Sequence, residues 1–205
     1  MLCHNATFVN DDYNITSNLV AKFSMPLHTR NRNFEYEREP QGSAPLMFHN
    51  NYKEKYAKRG VGILDPLPPI LFLGDDLLVT TEIRRELLKY NIPHMYTHPS
   101  VYIHDDDEWH EDYWFCTFTE RFDCWDRKAS KYMHETPDEG EQEEDLKYMV
   151  ARFSLNDELL GNTPLEQRLL FKMGASALPM ITCHESIKHL FENEGSQTIP
   201  VTEWG

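Results

Sequence analysis

Two strand-forming runs set around a block of acids restrict this chain's fold more than any other stretch. The runs are Val101-Tyr102-Ile103-His104 and Tyr113-Trp114-Phe115-Cys116-Thr117-Phe118-Thr119. β-branched and aromatic residues favour a pleated, half-buried surface, so the pair predicts a β-hairpin. The link, Asp105-Asp106-Asp107-Glu108-Trp109-His110-Glu111-Asp112, gathers carboxylates around one tryptophan. That composition suits recognition of a basic partner better than bond-making chemistry.

The acidity extends beyond the link. The net charge is −14, and it is unevenly placed. Residues 1–60 hold eight Lys/Arg against six Asp/Glu, whereas the remainder holds 12 against 28. Within residues 103–145 there are 16 acids and four bases. A surface that binds phosphates must be basic, so nucleic acid and anionic membranes are not expected partners. A basic protein would be attracted and its encounter speeded. The plainer role of such acidity is to keep a protein in solution.

The 205 residues suffice for one domain or one and a half. The four cysteines, Cys3, Cys116, Cys124 and Cys183, form no CxxC pair. Met1-Leu2-Cys3-His4-Asn5 carries no basic region followed by an apolar stretch, and no apolar run approaches membrane-spanning length. These features predict a cytoplasmic protein with reduced thiols, in which the sequons at Asn5 and Asn14 are chance matches.

Residues 1–66 read as an irregular N-terminal region. Its candidates are a strand at Ala6–Val9, a short element at Ile15–Phe23 and a short helix at Tyr52–Lys58. Pro66, Pro68 and Pro69 punctuate the boundary before an α+β domain over residues 67–205. There, Ile70–Leu73 predicts a strand, and Val79, Ile83 and Leu87 at i, i+4 spacing predict a helix that Asn91 and Pro93 stop. Ile92–Tyr96 and Tyr148–Leu155 predict further strands, and Thr136–Asp145 a solvated loop or frayed helix. Thr163-Pro164-Leu165-Glu166 has a capping-box pattern with proline at the first helical position. Leu169–Met173 extends that helix or turns into a strand. Met180–Ile181 leads into a second capping box, Thr182-Cys183-His184-Glu185, and a helix with Ile187, Leu190 and Phe191. Gly195 ends it, and Ile199–Trp204 closes the chain as a strand.

Two segments share one order. Pro69-Ile70-Leu71-Phe72, a helix and Ile92-Pro93 parallel Pro179-Met180-Ile181, a helix and Ile199-Pro200-Val201. The expected fold is therefore α+β: a mixed sheet with packed helices, two similar strand–helix–strand units and a central β-hairpin.

Nucleotide and hydrolase signatures are missing. Gly60-Val61-Gly62 lacks a third glycine, and Gly174-Ala175-Ser176-Ala177 is not GxSxG, which leaves Ser176 in a turn. The best constellation for an enzyme is His104, Asp105, Asp106, Asp107, His110 and Asp112. Imidazoles and carboxylates bind zinc, manganese or calcium, and the two histidines stand where the legs of the hairpin begin, close enough for their rings to meet. Metal sites usually sit on rigid elements with supporting contacts, whereas this cluster lies on a loop. A solvated turn is thus preferred to a metal-assisted hydrolase, and no cofactor is expected. Trp125, in Asp123-Cys124-Trp125-Asp126, is assigned to the core with Asp126 capping a short helix; Trp109, flanked by charge, is assigned to recognition.

From Leu67 to Trp204 the chain resembles the immunity proteins of bacterial polymorphic-toxin and type VI secretion systems, in particular a family first catalogued as a domain of unknown function. The resemblance runs through Pro69–Leu73, Arg84-Arg85-Glu86-Leu87-Leu88, Ile92-Pro93, Val101-Tyr102-Ile103 with its acidic turn, and Asp112-Tyr113-Trp114. It continues through Phe122 to Ser130, Leu170-Phe171-Lys172 and the Met180–Phe191 stretch. It implies an inhibitor that binds a cognate toxin and carries no catalytic residue. The expected contact set is Asp105, Asp106, Asp107, Glu108, Trp109, Asp112, Asp123 and Asp126. An adaptor that loads a secreted effector is the remaining alternative.

Overall fold

A computed structural model describes residues 12–18, 40–50, 53–60, 63, 65–73, 76–133, 148–177, 180–193 and 196–203. The expected strand at Ala6–Val9 and the acidic stretch Thr136–Asp145 lie outside these residues. By contacts the chain divides into two compact units. One comprises residues 17–120 and 190–197, the other residues 1–16, 121–189 and 198–205.

The first unit is built on a five-stranded sheet. Its strands are β2 (Leu46–His49), β3 (Ile70–Leu73), β4 (Asp76–Thr80), β5 (Met95–Ile103) and β6 (Trp109–Phe118), in the order β2-β5-β6-β4-β3. β2 runs parallel to β5 and the other neighbours are antiparallel, so the sheet is mixed and the fold is α+β. Helix α1 (Lys53–Lys58) forms within the expected Tyr52–Lys58. The hairpin read from the sequence is β5–β6. One face of the sheet packs Leu46, Phe48, Leu71, Leu78, Tyr102, Tyr113 and Phe115 into a core.

The residues after β3 depart from expectation. Val79 belongs to strand β4, where it pairs with Ile70 and Trp114, and helix α2 covers only Thr81–Leu87. Residues 70–96 are thus strand–strand–helix–strand. Leu77, Leu78 and Val79 are all fully buried, and a short apolar run buried on both faces cannot be told from a helix by periodicity. The β-branched Val79-Thr80 then favours the extended form. Leu87 faces the interior, while Ile83 is only half-buried. Ile92 is buried but precedes β5, which begins at Met95.

The second unit has a four-stranded sheet in the order β11-β1-β10-β9. Its strands are β1 (Tyr13–Asn18), β9 (Leu170–Lys172), β10 (Ile181–His184) and β11 (Ser196–Pro200). A separate pair joins β7 (Lys131–Tyr132) to β8 (Val150–Arg152). Strands from the first 66 residues therefore enter both large sheets. The β9 segment is extended, which decides between its two sequence readings. Between β10 and β11 the chain forms a 3-10 helix, Glu185–Leu190, in place of an α-helix, and a second 3-10 turn, Val201–Glu203, replaces the end of the closing strand. Thr182, expected to cap that helix, lies inside the sheet between Ile15 and Phe171. Ile187 is fully buried nonetheless.

Thr163 also serves differently from its expected role. Helix α3 (Asp157–Asn162) is capped by Asn156, whose side chain accepts from the Leu159 N–H. The Thr163 hydroxyl donates to the Leu159 carbonyl at 2.8 Å, so it closes α3, and only a 3-10 turn, Leu165–Gln167, follows.

Trp125 is buried at the centre of this unit's core with Tyr13, Val150, Phe153, Phe171 and Met173. Its indole N–H donates to the Gly174 carbonyl at 2.9 Å, and Tyr132, Tyr148 and Phe153 meet it edge-on. A Cβ on Gly174 would fall 2.8 Å from the Asp123 nitrogen, so only glycine allows this backbone approach. Ser176 does not sit in a turn. It is buried and bridged to Tyr148. Asn14 is buried in β1 and donates to Glu185 at 2.8 Å. Cys116, Cys124 and Cys183 are buried, and among the described residues no disulfide joins them.

Candidate functional site

The tip of the β5–β6 hairpin is tighter than its sequence suggests. The His104 N–H donates to the Glu108 carbonyl at 2.8 Å, and the Asp107 N–H donates to the His104 carbonyl at 3.0 Å. Asp105, Asp106 and Asp107 therefore make a three-residue loop, with Asp107 at φ 70°. Aspartate tolerates this left-handed conformation better than most residues, because its short polar side chain bonds locally. Trp109, His110, Glu111 and Asp112 belong to β6 instead of to the loop.

Three of the acids have local partners. Asp105 accepts from the Asn50 side chain at 3.1 Å. Asp106 accepts from the Glu108 N–H at 3.0 Å, and that bond, first among several causes, holds its carboxyl below the usual carboxylate range. Asp107 meets Lys53 at 3.3 Å, a pair too exposed to stabilise much. Trp109 pairs with Ile103 across the hairpin and leaves 60% of its surface exposed, more than any other large apolar side chain among the described residues. Glu111 and Asp112 beside it are exposed as well.

A β-bulge orients the other side chains. Ser100 pairs with Tyr113 but Tyr102 pairs with His110, so Val101 stands against both Glu111 and Asp112. An extra residue reverses the alternation of faces. His110 thereby shares the face of Tyr102, His104 and Tyr113 and not that of Trp109. The His104 and His110 rings meet edge-on at 5.8 Å between centroids, as their places on the two legs suggested. His104 is buried to 6% exposure, and neither its Nδ1 nor the His110 Nε2 has a hydrogen-bond partner. Both rings line a cavity of about 310 Å³. Asp65, Asp106 and Glu108 contribute its carboxylates. Among the described residues no group of three or more His, Cys, Asp or Glu is arranged to hold a metal ion.

Asp123 and Asp126 belong to the other unit and have partners of their own. Asp123 grips Arg127 through both carboxylate oxygens, at 2.9 and 2.5 Å. The Arg127 guanidinium also lies 3.7 Å over the Trp125 ring. Asp126 accepts from the Lys128 and Ala129 N–H groups at 2.7 and 3.1 Å, capping a turn as expected, although no regular helix follows. Those bonds, Ala129 foremost, hold its carboxyl below the ordinary range.

Sequence reasoning missed two features. Asp65 reaches the histidine cavity from a distant loop, and nothing in its neighbours signals this. A second cavity of about 660 Å³ opens beside β5 and α2, lined among others by Arg84, Tyr96, His98 and Trp114. Several of its polar groups are already engaged: Arg84 stacks 3.7 Å over Trp114 and donates to Thr97 at 2.9 Å, and His98 meets the Ala44 carbonyl at 2.9 Å. Among the described residues no helix is long and apolar enough to cross a membrane. The chain matches no protein-family model and no curated protein.

Proposed function

We propose that the protein is an immunity-type inhibitor that neutralises a toxin with a basic surface by direct contact, through the β5–β6 hairpin. One observation carries this reading: Trp109 is 60% exposed on a strand whose neighbours Asp106, Asp107, Glu108, Glu111 and Asp112 are exposed acids. An exposed indole ringed by charge gains little for folding and much for binding, because aromatic anchors dominate interface energies once water is excluded. The acids steer a cationic partner and fix its orientation. Inhibition needs no chemistry from the inhibitor, only coverage of the toxin's cleft, and a standard interface buries roughly 1,600 Å² in total. If the toxin is a nuclease, the carboxylates stand in for phosphates.

The test begins with capture of a partner by the tagged chain from the producing cells. The partner is then expressed in a sensitive host with or without this protein. Growth should be lost with the partner alone and restored by the wild-type chain. Trp109→Ala should cost about 2 kcal/mol or more, roughly 30-fold in affinity, and weaken protection. A harmless partner would favour an effector-loading adaptor. Full protection by Trp109→Ala would move the contact off the hairpin.

A further inference from the structure

We infer that the cavity beside β5 and α2 binds a small organic acid, with Arg84 gripping its carboxylate and apolar side chains covering its body. This site is separate from the hairpin tip, and nothing in it depends on the partner that the tip takes. The cavity holds about 660 Å³, well inside the roughly 300–1,000 Å³ of ligand pockets. It exists because the sheet is incomplete here. β2 pairs with β5 only from Ser100 to Ile103, and Pro99, which has no N–H to give, stands where the pairing stops. Upstream of β2 the chain makes a turn instead, in which the Ser43 N–H donates to the Pro40 carbonyl at 3.1 Å. That turn and residues 95–99 of β5 both line the cavity.

Charge supplies the chemistry. The cavity wall includes Arg84 and, among the described residues, neither Asp nor Glu. Lys53, Lys89, Arg127 and Lys188 each meet a carboxylate. Among the described residues Arg84 meets none, although the chain carries 34 Asp/Glu against 20 Lys/Arg. Its guanidinium is nevertheless fixed in place. It lies 3.7 Å over the Trp114 ring, and its Nε donates to the Thr97 hydroxyl at 2.9 Å. Trp114 is held in turn: its indole N–H donates to the Thr81 hydroxyl at 3.0 Å, and that hydroxyl donates to the Asp112 carbonyl at 3.0 Å.

With Nε committed to Thr97, the two Nη groups form the remaining edge of the fork, and that edge matches a carboxylate in geometry. His98 spends its Nε2–H on the Ala44 carbonyl. One guanidinium balances one negative charge, which suits a carboxylate better than a phosphate dianion. Pro40, Leu88, Met95 and Pro99 give the wall an apolar part, which a bare anion would leave wet and an organic body would cover. Leu88, 52% exposed, is the apolar side chain most open to solvent among these.

The experiment uses the whole chain. Acetate, octanoate and 4-phenylbutyrate are each titrated in while the Arg84 Nε–H and Trp114 indole N–H signals are followed by NMR. The neutral isostere is 4-phenylbutyramide, and inorganic phosphate is the bare dianion. Octanoate or 4-phenylbutyrate should shift both signals and saturate, whereas the amide should not. Acetate and phosphate should bind about tenfold more weakly or worse, for want of the apolar body. Arg84→Gln should abolish saturation as read at Trp114, and Arg84→Lys should restore part of it, since the charge returns without the fork. Leu88→Glu changes an exposed side chain and sets a like charge at the cavity, so it should weaken the acid about tenfold while melting like wild type. Leu88→Gln should weaken it less. Equal response to acid and amide overturns the proposal, as does unchanged affinity in Leu88→Glu or silence from all three acids. Saturation by phosphate alone would mark an inorganic-anion site and overturns it as well. Because no toxin is present, acid binding stands even if protection fails, and protection without acid binding rejects this site alone.

Discussion

Asp106 and Asp126 act alike in different loops: each carboxylate takes backbone N–H groups a few residues ahead and fixes a turn. Hydrogen bonds to the charged form lower a carboxyl pKa, and both groups are shifted that way. The sign follows from linkage. A carboxyl whose folded pKa lies below its unfolded value stabilises the fold above the unfolded pKa. That contribution is lost as pH falls through the folded value. The melting temperature of wild type should therefore exceed that of Asp126→Ala at neutral pH, and the gap should close below the ordinary carboxylate range. Asp126→Asn keeps the acceptor oxygen and should fall between them, with a gap to Ala that does not titrate. Thermal melts of the three proteins from about pH 7 to about pH 3 decide this. Trp109 and Trp125 make the opposite lesson: one residue type, exposed in a charged strand and buried beneath an aromatic cage.

Among the elements, α2 carries the clearest test of packing. Its seven residues are too few to persist alone, so its stability comes from the face it buries. Leu87 is fully buried while Ile83 is half-buried. Leu87→Asp should cost on the order of 3 kcal/mol or more, as a charge placed in the core, and Ile83→Asp about 1 kcal/mol. Ile187→Asp should match Leu87→Asp despite its 3-10 setting, since burial, not helix type, sets the cost. Urea unfolding of the three variants measures it, and equal losses at positions 83 and 87 would contradict the placement of α2.

Over the whole molecule the charge of −14 acts at longer range than any contact. Asp105→Asn, Asp106→Asn and Asp107→Asn together remove three charges from the tip. The changes at 105 and 106 keep the acceptor oxygens used by Asn50 and by the Glu108 N–H, and the Lys53 pair lost at 107 is too exposed to contribute much. The triple variant should therefore melt only slightly below wild type, for the loss of the charged acceptor at 106, but associate more slowly with the toxin and with a flatter salt dependence. At about 1 M salt, where the Debye length is about 3 Å, the two association rates should converge. Trp109→Ala should act on dissociation instead. Surface plasmon resonance at low and high salt separates the two effects, and unchanged rates for both would place the contact elsewhere.

Local chemistry by itself determined the hairpin, the exposure of Trp109, the burial of Trp125 and the turn capped by Asp126. Each follows from residues within about ten positions of one another, where β-propensity, charge and capping act. Tertiary structure decided the rest. Val79 is claimed by a strand because Ile70 and Trp114 flank it with open hydrogen-bonding edges, which no window on the sequence contains. Thr182 fails as a cap because Ile15 and Phe171 pair on either side of it. The bulge that turns His110 toward His104 depends on the register between β5 and β6, and a one-residue slip there exchanges the two faces. Asp65 reaches the histidines only through the folded chain. Side-chain type and short spacing are written along the sequence, whereas the pairing partner of each strand is set by which distant segments bury the most apolar surface together.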